Sequence, residues 1–482
     1  MTISTMHIVS MVLVIGVTLG YSVFSSRSVK SAAGFSLVGR AANAPLVAGG
    51  IVGVIIGGGA TVGTAQLAYQ FGLCAWSYSL GAGIGFLVQG ALYARKLRRT
   101  GLETVPEFFG LHYGKYAAPV ISVCGTLSML CGCVAGVIAG ISIIAGIFNL
   151  PHSASAALLG VLVFSTVFFS GQKGSSIVGI IKMGVLWVGL LVGGILALFF
   201  LYDLPNFTEV FPSQPWLNLF STGKSVVIGN IFSTVVGILC SQNYIQALYS
   251  ASDAKTASRG AIMAGLVVIP VGLPIVAIGM FMHAQDPSIP PVLALPAFFF
   301  TYLPDWFGGL AIAGVLLAII GSTAGQTLGI GTMISRDFVG NLFKITKSET
   351  ILRTNRTVVL CVTILVSFIA FTYINSTVLY WNFFSFLLRG GGVFVPLTLA
   401  IFKPGWLSPN WALLSIITST AAAIIARLMF DISFSPLYLA LGISLTIVII
   451  GILVSGKSYH AQYLGQKAAE ASALEAQPAF GK

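Results

Sequence analysis

Long apolar runs recur along the whole chain and are separated by short breaks of charged, Gly, Pro or Asn residues. Most runs approach or exceed the roughly 20 residues that an α-helix needs to cross the hydrocarbon core of a bilayer. The pattern predicts an all-α polytopic membrane protein with about thirteen transmembrane helices. The predicted spans, numbered in chain order, cover residues 6–25, 45–72, 75–95, 117–148, 154–171, 175–202, 224–248, 260–284, 306–334, 354–374, 378–402, 409–430 and 436–455.

Composition supports the same conclusion. Of 482 residues, 56% are hydrophobic and only 7% are charged, whereas about a quarter of the residues of a soluble domain are charged. Lipid is therefore expected to cover most of the surface. Because no internal boundary interrupts the apolar runs, residues 1–457 are predicted to form a single membrane domain. An Ala- and Gln-rich tail over 458–482 follows, and we expect a frayed helix or disorder there.

The positions of the basic residues predict an orientation. If the N-terminus lies outside and the C-terminus in the cytoplasm, all but four of the 24 Lys and Arg residues fall on the inner side. This asymmetry is typical of multi-pass proteins of the plasma (inner) membrane and requires an odd number of spans. It also accounts for the net charge of +12 without a nucleic-acid partner. The four exceptions are Lys182, Lys224, Arg389 and Arg427.

Residues typical of enzymes and metal centres are scattered. The six cysteines lie in apolar stretches with neither disulfide nor zinc spacing, and no span combines His with Asp or Glu. The sequence therefore argues against a membrane enzyme.

Two basic residues lie deep inside predicted spans, where a charge costs about 2.5 kcal/mol or more. Arg389 is halfway along span eleven and is followed by Gly390, Gly391, Gly392 and Pro396. Its guanidinium could bind carbonyls of a broken helix, or it could offer two parallel donors to an anionic substrate such as a carboxylate. Lys182, in span six, could extend to the inner surface or serve in coupling.

Spans two and nine contain small and polar residues where an ordinary span carries Leu and Ile. The segment 57–66 of span two reads GGGATVGTAQ, and 321–326 of span nine reads GSTAGQ. Glycines there could break the helix so that carbonyls face a cavity, or they could permit close helix packing. The hydroxyls of span nine could bind a hard cation or their own helix.

A cytoplasmic segment carries a distinctive motif. Residues 98–109 read RRTGLETVPEFF and precede His112-Tyr113-Gly114, and further matches include Gly63-Thr64 to Gly72, Gln246 to Gly260, and Ser322-Thr323 with Ser335-Arg336-Asp337. Over most of its length the chain resembles the sodium:solute symporter family, although His112 replaces the usual arginine. The resemblance implies a secondary active transporter with the five-plus-five inverted-repeat (leucine-transporter-like) fold. The repeats would cover about 45–202 and 224–402, with one leading and two trailing helices.

The resemblance also implies a site for co-transported Na⁺ between spans two and nine. Lys182 stands where many relatives carry an aspartate near this site, so an ammonium would repel Na⁺ or stand in for it. We expect Na⁺ coupling, and a proton-coupled or uncoupled carrier with Lys182 in place of the cation is the alternative. The implied ligands are carbonyls of Gly53, Ile56 and Ile319 and hydroxyls of Ser322 and Thr323.

In this fold the substrate pocket lies beside the break in span two. The expected substrate is a small organic solute carried by alternating access. The absence of acids within the spans, together with Arg389, favours a carboxylate-bearing anion. A channel or a transporter-like sensor is the alternative from another class, and no obligate protein partner is expected. Candidate substrate-binding residues are Thr61, Gln66, Tyr69, Asn243, Tyr244 and Arg389.

Overall fold

The computed structural model describes residues 3–26, 40–340, 348–429 and 435–464. Helices account for nearly all of this backbone, and the described part contains no strand beyond one parallel bridge between Ala42 and Ala251. The α-helices are α1 (Thr5–Ser26), α2 (Ala44–Ile55), α3 (Thr64–Phe71), α4 (Ser77–Val88), α5 (Ala94–Arg99), α6 (Val105–Tyr113), α7 (Ala117–Phe148), α8 (His152–Tyr202), α9 (Phe207–Val210), α10 (Ser213–Trp216), α11 (Lys224–Leu239), α12 (Gln242–Tyr249), α13 (Ala254–Gln285), α14 (Ala294–Tyr302), α15 (Asp305–Thr332), α16 (Ser348–Thr372), α17 (Val378–Phe402), α18 (Pro409–Met429) and α19 (Pro436–Gly451).

The predicted all-α membrane architecture is confirmed. Within the described ranges, nine helical segments are long and apolar enough to cross a membrane, or ten if α11 and α12, bent by 42° to each other, form one span. Every predicted span coincides with helical backbone. The total of thirteen remains a prediction, since several of these segments are too short for the length criterion.

Helix α8 covers 51 residues and includes both span five and span six. A Cβ on Gly140 would contact Leu159 and would lie 3.3 Å from Ile319, whereas Lys182 packs against Gly321. Leu159 and Lys182 therefore both lie near the same part of α15, although a straight helix would place them roughly 35 Å apart. Helix α8 is consequently not straight, and we call His152–Val167 its first leg and Lys182–Tyr202 its second leg. The side chains between them, from 168 to 181, lie outside the described residues.

Burial separates central from peripheral helices. The apolar stretches of α15 and α7 are 89% and 78% buried inside the protein, which is typical of helices enclosed by other helices. The outer helices instead present large apolar side chains to their surroundings, including Leu13, Phe368 and Leu453, which are 61%, 68% and 79% exposed. Such a surface matches contact with lipid.

The family-like motif at 98–109 forms the start of α6 and its connection to α5. Thr104 caps α6 by accepting a hydrogen bond from the Glu107 N–H, and Glu107 accepts from the Glu103 N–H, a variant of the capping box. Arg98 donates to the carbonyls of Ala251 and Ser252, just before α13. The motif therefore has a structural role, because Arg98 joins the loop after α5 to the loop before α13.

Asp253 caps α13 next to this contact. Its carboxylate accepts hydrogen bonds from the Thr256 hydroxyl and from the Lys255 and Thr256 N–H groups. These bonds, that of the Thr256 side chain foremost, hold the pKa of Asp253 well below its usual value. The cap therefore stays ionised at any physiological pH.

The chain beyond α19 continues as helix to residue 464. The remainder of the predicted tail, 465–482, lies outside the described residues, as do the side chains of Arg336 and Asp337.

Candidate functional site

Span two is broken where the glycines predict it. Helix α2 ends at Ile55, Ile56 has a non-helical ψ of 86°, and a π-helical turn over Gly59–Gly63 leads into α3. The Thr61 hydroxyl donates to the Gly57 carbonyl at 2.8 Å. Backbone carbonyls of the break thus find donors within the protein, as a low-dielectric environment requires.

The same glycines also permit close packing. A Cβ on Gly57 would collide with the Ser322 side chain, and one on Gly59 would collide with Asn382. A Cβ on Gly58 would lie only 2.8 Å from the Cβ of Ala139. The two interpretations of the glycine-rich segment therefore both hold, since the break is pressed against α7, α15 and α17.

Lys182 is turned towards the break. Its side chain is 1% exposed, and its Nζ donates to the Gly53 carbonyl at 2.7 Å. The Nζ also lies against Gly321 of α15, where a Cβ would collide with it. The side chain does not extend to the inner surface, and in the part of the chain that the structure describes it forms no ion pair.

The predicted sodium ligands surround this amine only in part. The Gly53 carbonyl is bound by Lys182, and Ser322 faces Gly57 in the break. The Thr323 hydroxyl instead faces Gly136 of α7 and, among the described residues, has no hydrogen-bond partner. The Ile319 side chain also packs on α7, and Ile56 is buried within the break. That these groups bind Na⁺ together stays a prediction.

Arg389 is held by three serines from three elements. Its Nε donates to Ser128 Oγ of α7 at 2.7 Å and to the Ser385 carbonyl at 3.3 Å, its Nη1 donates to Ser241 Oγ, and its Nη2 donates to Ser385 Oγ. The Ser128 and Ser385 hydroxyls each donate to the other's backbone carbonyl, at 2.7 and 2.6 Å. The hydroxyls of Ser128 and Ser385 thus each accept a hydrogen bond from the guanidinium and donate one to a carbonyl.

The guanidinium has no acidic partner among the described residues. A guanidinium carries five N–H groups, and the four hydrogen bonds above use three of them because the Nε–H is shared. One N–H on Nη1 and one on Nη2 have no acceptor in the described protein. A carboxylate can accept a hydrogen bond from each of them.

Of the two alternatives for Arg389, the structure does not support binding to the carbonyls of a broken helix. Helix α17 is continuous from Val378 to Phe402. Gly390 and Gly392 serve close packing, because added Cβ atoms would collide with Val236 and Thr420. Among the described residues, the backbone carbonyl that Arg389 binds is that of Ser385, which lies one turn earlier in its own helix.

A narrow polar cavity, the central cavity, lies between the break and Arg389. Its free volume of about 10 Å³ holds about one water molecule, so the structure is closed around it. It is lined by Ile55, Gly57, Gly58, Gly59, Tyr78, Tyr244, Ser322, Gln326, Asn382, Ser385, Phe386 and Arg389, with Val54, Gly132 and Gly136.

Of the six predicted substrate-binding residues, Tyr244 and Arg389 line the central cavity. The Gln66 side chain accepts from the Val378 N–H, and the Tyr69 hydroxyl donates to the Asp286 carbonyl. Thr61 bonds within the break, and Asn243 packs against Gly329 with its carbonyl oxygen unpartnered in the described part. Their roles in substrate binding stay predictions.

Sequence reasoning missed Ser128, Ser241, Ser385 and Asn382 as site residues. A signal existed for two of them, because Asn382, Ser385 and Arg389 follow a spacing of i, i+3, i+7 and so share one helix face. Ser128 and Ser241 had none, since their position depends on how α7 and the break between α11 and α12 pack against α17.

The Arg389 network makes a prediction about stability. We expect Arg389→Met to leave the thermal unfolding midpoint in detergent unchanged or to raise it. The hydrogen bonds of the guanidinium stabilise the fold, but the cost of burying its charge offsets that stabilisation. Arg98→Met, which removes the donor to two loop carbonyls, is the control and should lower the midpoint. If Arg389→Met lowered the free energy of unfolding by about 3–5 kcal/mol, as the loss of one partner from a buried ion pair does, this interpretation would be contradicted.

The chain is similar to known transporters. The sequence model of the "Sodium:solute symporter family" matches residues 35–418. The high-affinity choline transporter 1 of Caenorhabditis elegans is 24% identical over 400 residues, which are 75% of this chain and 67% of that protein.

Among solved structures, a substrate-bound, outward-open Na⁺-coupled sialic acid symporter has a TM-score of 0.80 at 17% identity, over 94% of this chain and 97% of the other. Mhp1, a nucleobase-cation-symport-1 family transporter in a closed conformation, has a TM-score of 0.54 at 12% identity, over 90% and 95%. These likenesses confirm the predicted leucine-transporter-like fold. Together with the family match, they indicate that the chain is a transporter and not an enzyme. The chain belongs to the sodium:solute symporter family.

Proposed function

We propose that this protein carries a small organic solute with a carboxylate group across the plasma membrane by alternating access, with its N-terminus outside and its C-terminus in the cytoplasm. The proposal is supported by the position and the free hydrogen-bond donors of Arg389. Its guanidinium lines the central cavity beside the break of span two and keeps one N–H on each Nη without a protein acceptor in the described residues.

The charges around the cavity favour an anion. Arg389 and Lys182 are both buried, and neither forms an ion pair within the described ranges. A carboxylate would complete the hydrogen bonds of the guanidinium and offset its charge, whereas a cation would be repelled. A cation such as choline, for which the Caenorhabditis elegans relative is named, therefore does not suit this cavity. The sialic acid carried by the structural neighbour is consistent with an acidic solute.

Lys182 supports a specific form of coupling. Its ammonium binds the Gly53 carbonyl, which the family resemblance implies as a sodium ligand. We propose that this ammonium takes the place of the cation between spans two and nine and that a proton, bound and released by Lys182, is coupled to the solute. An internal cation of this kind would hold the two helices in the substrate-competent arrangement.

Na⁺ symport is the second candidate. The family is named for it, and Ser322 next to the break and the unpartnered Thr323 hydroxyl supply oxygen ligands of the kind that a hard cation takes. In this case Lys182 would have to leave the Gly53 carbonyl before Na⁺ binds.

The solute class can be tested by thermal shift of the purified protein. We expect acetate, pyruvate, lactate or sialic acid to raise the unfolding midpoint, and the uncharged analogues acetamide, pyruvamide and lactamide to have no effect. Arg389→Lys should weaken the binding of the active acid at least about tenfold, since an ammonium lacks the parallel donors. Arg427→Lys is the matched control, because Arg427 packs on Tyr380 outside the cavity. Equal shifts with acids and amides, or full affinity in Arg389→Lys, would refute a carboxylate site.

The coupling ion can be tested in proteoliposomes with the acid identified above. We expect a pH gradient, acidic outside, to drive uptake by itself, and a Na⁺ gradient at equal pH to drive none. Lys182→Met should abolish the uptake driven by the pH gradient, because Met neither binds the proton nor donates to the Gly53 carbonyl. Uptake that follows the Na⁺ gradient alone would favour the second candidate.

A further inference from the structure

Arg389 lies between two cavities. Besides the central cavity it lines a second one, the inner cavity, together with Val105, Ser128, Cys240, Ser241 and Gln242. Of the three serines that bind the guanidinium, Ser385 lines the central cavity, and Ser128 and Ser241 line the inner cavity. The guanidinium and its hydrogen bonds therefore form the partition between the two spaces.

The inner cavity lies on the side of the basic loops. Val105 begins α6, which directly follows the basic helix α5. Helix α6 covers this side and is attached at both ends, since its Val105 N–H donates to the Gln242 side chain at 2.7 Å and its Tyr113 hydroxyl donates to the Pro396 carbonyl at 2.8 Å. Two adjacent residues at the start of α12 thus have different partners. Ser241 binds Arg389, and Gln242 binds α6.

The partition joins elements that would have to separate for a solute to pass. One guanidinium binds α7 through Ser128, the α11–α12 break through Ser241, and α17 through Ser385. Hydrogen bonds to a charged donor are stronger than neutral ones, so the contact holds the three elements together. Hydroxyls do not neutralise the charge, however, and a carboxylate is a better acceptor.

We propose that Arg389, with Ser128, Ser241 and Ser385, forms the gate between the central and the inner cavity. A carboxylate that binds the two remaining N–H groups draws the guanidinium away from Ser128 and Ser241 and opens the gate. This second step rests on the proposed function, whereas the gate itself does not depend on which solute is carried. A ligand opens such a gate only through its stronger binding to the open state.

Asn382 lines the central cavity, so a reagent added from the side of the basic loops has to pass the inner cavity and the gate to reach this position. In a protein whose six cysteines are replaced by Ala and that carries Asn382→Cys, we measure the rate at which a membrane-impermeant cationic methanethiosulfonate modifies the introduced thiol from the side of the basic loops. We expect Ser128→Ala and Ser241→Ala to raise this rate at least fivefold. Ser128→Thr, which keeps the hydroxyl, should restore the parental rate.

Ser142→Ala is the matched control, because this buried hydroxyl on the same helix α7 donates to the Ile138 carbonyl of its own helix and has no other partner in the part of the chain that the structure describes. Its rate should equal that of the parent. Unchanged rates in Ser128→Ala and Ser241→Ala would overturn the gate. If one variant fails to fold, the other, on a separate element, decides.

The second step is tested by adding pyruvate, with pyruvamide as control, to the parental protein with Asn382→Cys as its single cysteine. We expect pyruvate to raise the modification rate and to have less effect in Arg389→Lys. Faster modification in the serine variants without any effect of pyruvate would confirm the gate and overturn its opening by this carboxylate. It would not by itself refute a carboxylate site, which the thermal shifts test separately.

Discussion

A backbone carbonyl released by a broken helix must find a donor inside the protein, because the bilayer core supplies no water. In this transporter the break of span two releases such groups at its most buried point, and the Lys182 ammonium binds one of them, the Gly53 carbonyl. The position of Lys182 against Gly321 then places α15 beside the break. One buried contact thereby determines how the broken helix, the second leg of α8 and α15 pack together.

On the other side of the central cavity, the buried Arg389 must likewise find its hydrogen-bond partners inside the protein. Its guanidinium is hydrogen-bonded to serine hydroxyls and not to a carboxylate, so its charge is not neutralised and two of its N–H groups remain for a further acceptor. Two buried cations without acidic partners in the described protein are costly to maintain. That cost is understandable if each is complemented during the transport cycle, Lys182 by loss or gain of a proton and Arg389 by an anionic solute.

The architecture could be predicted because its causes are local in the sequence. Apolar length defines the spans, glycines mark the break after Ile55, and Lys182 and Arg389 are conspicuous as charges in apolar surroundings. Partners could not be predicted in the same way. Whether Tyr69 faces a substrate or the Asp286 carbonyl depends on the rotation and depth of α3 relative to α13, and the sequence of neither helix contains this information.

The glycines after Arg389 show the same limit. A run of three glycines is compatible with a broken helix and with close packing, and neighbouring helices decide between them. In span two the break and the packing coexist, whereas α17 remains helical and its glycines accommodate α11 and α18.

The central claim is that the Lys182 ammonium occupies the cation position between spans two and nine. Equilibrium binding of ²²Na⁺ to the purified protein tests it most directly. The account predicts no saturable site in the natural protein and one site per molecule in Lys182→Asp, which restores the carboxylate that the family resemblance implies at this position. Saturable binding of one Na⁺ per molecule with Lys182 in place would contradict it.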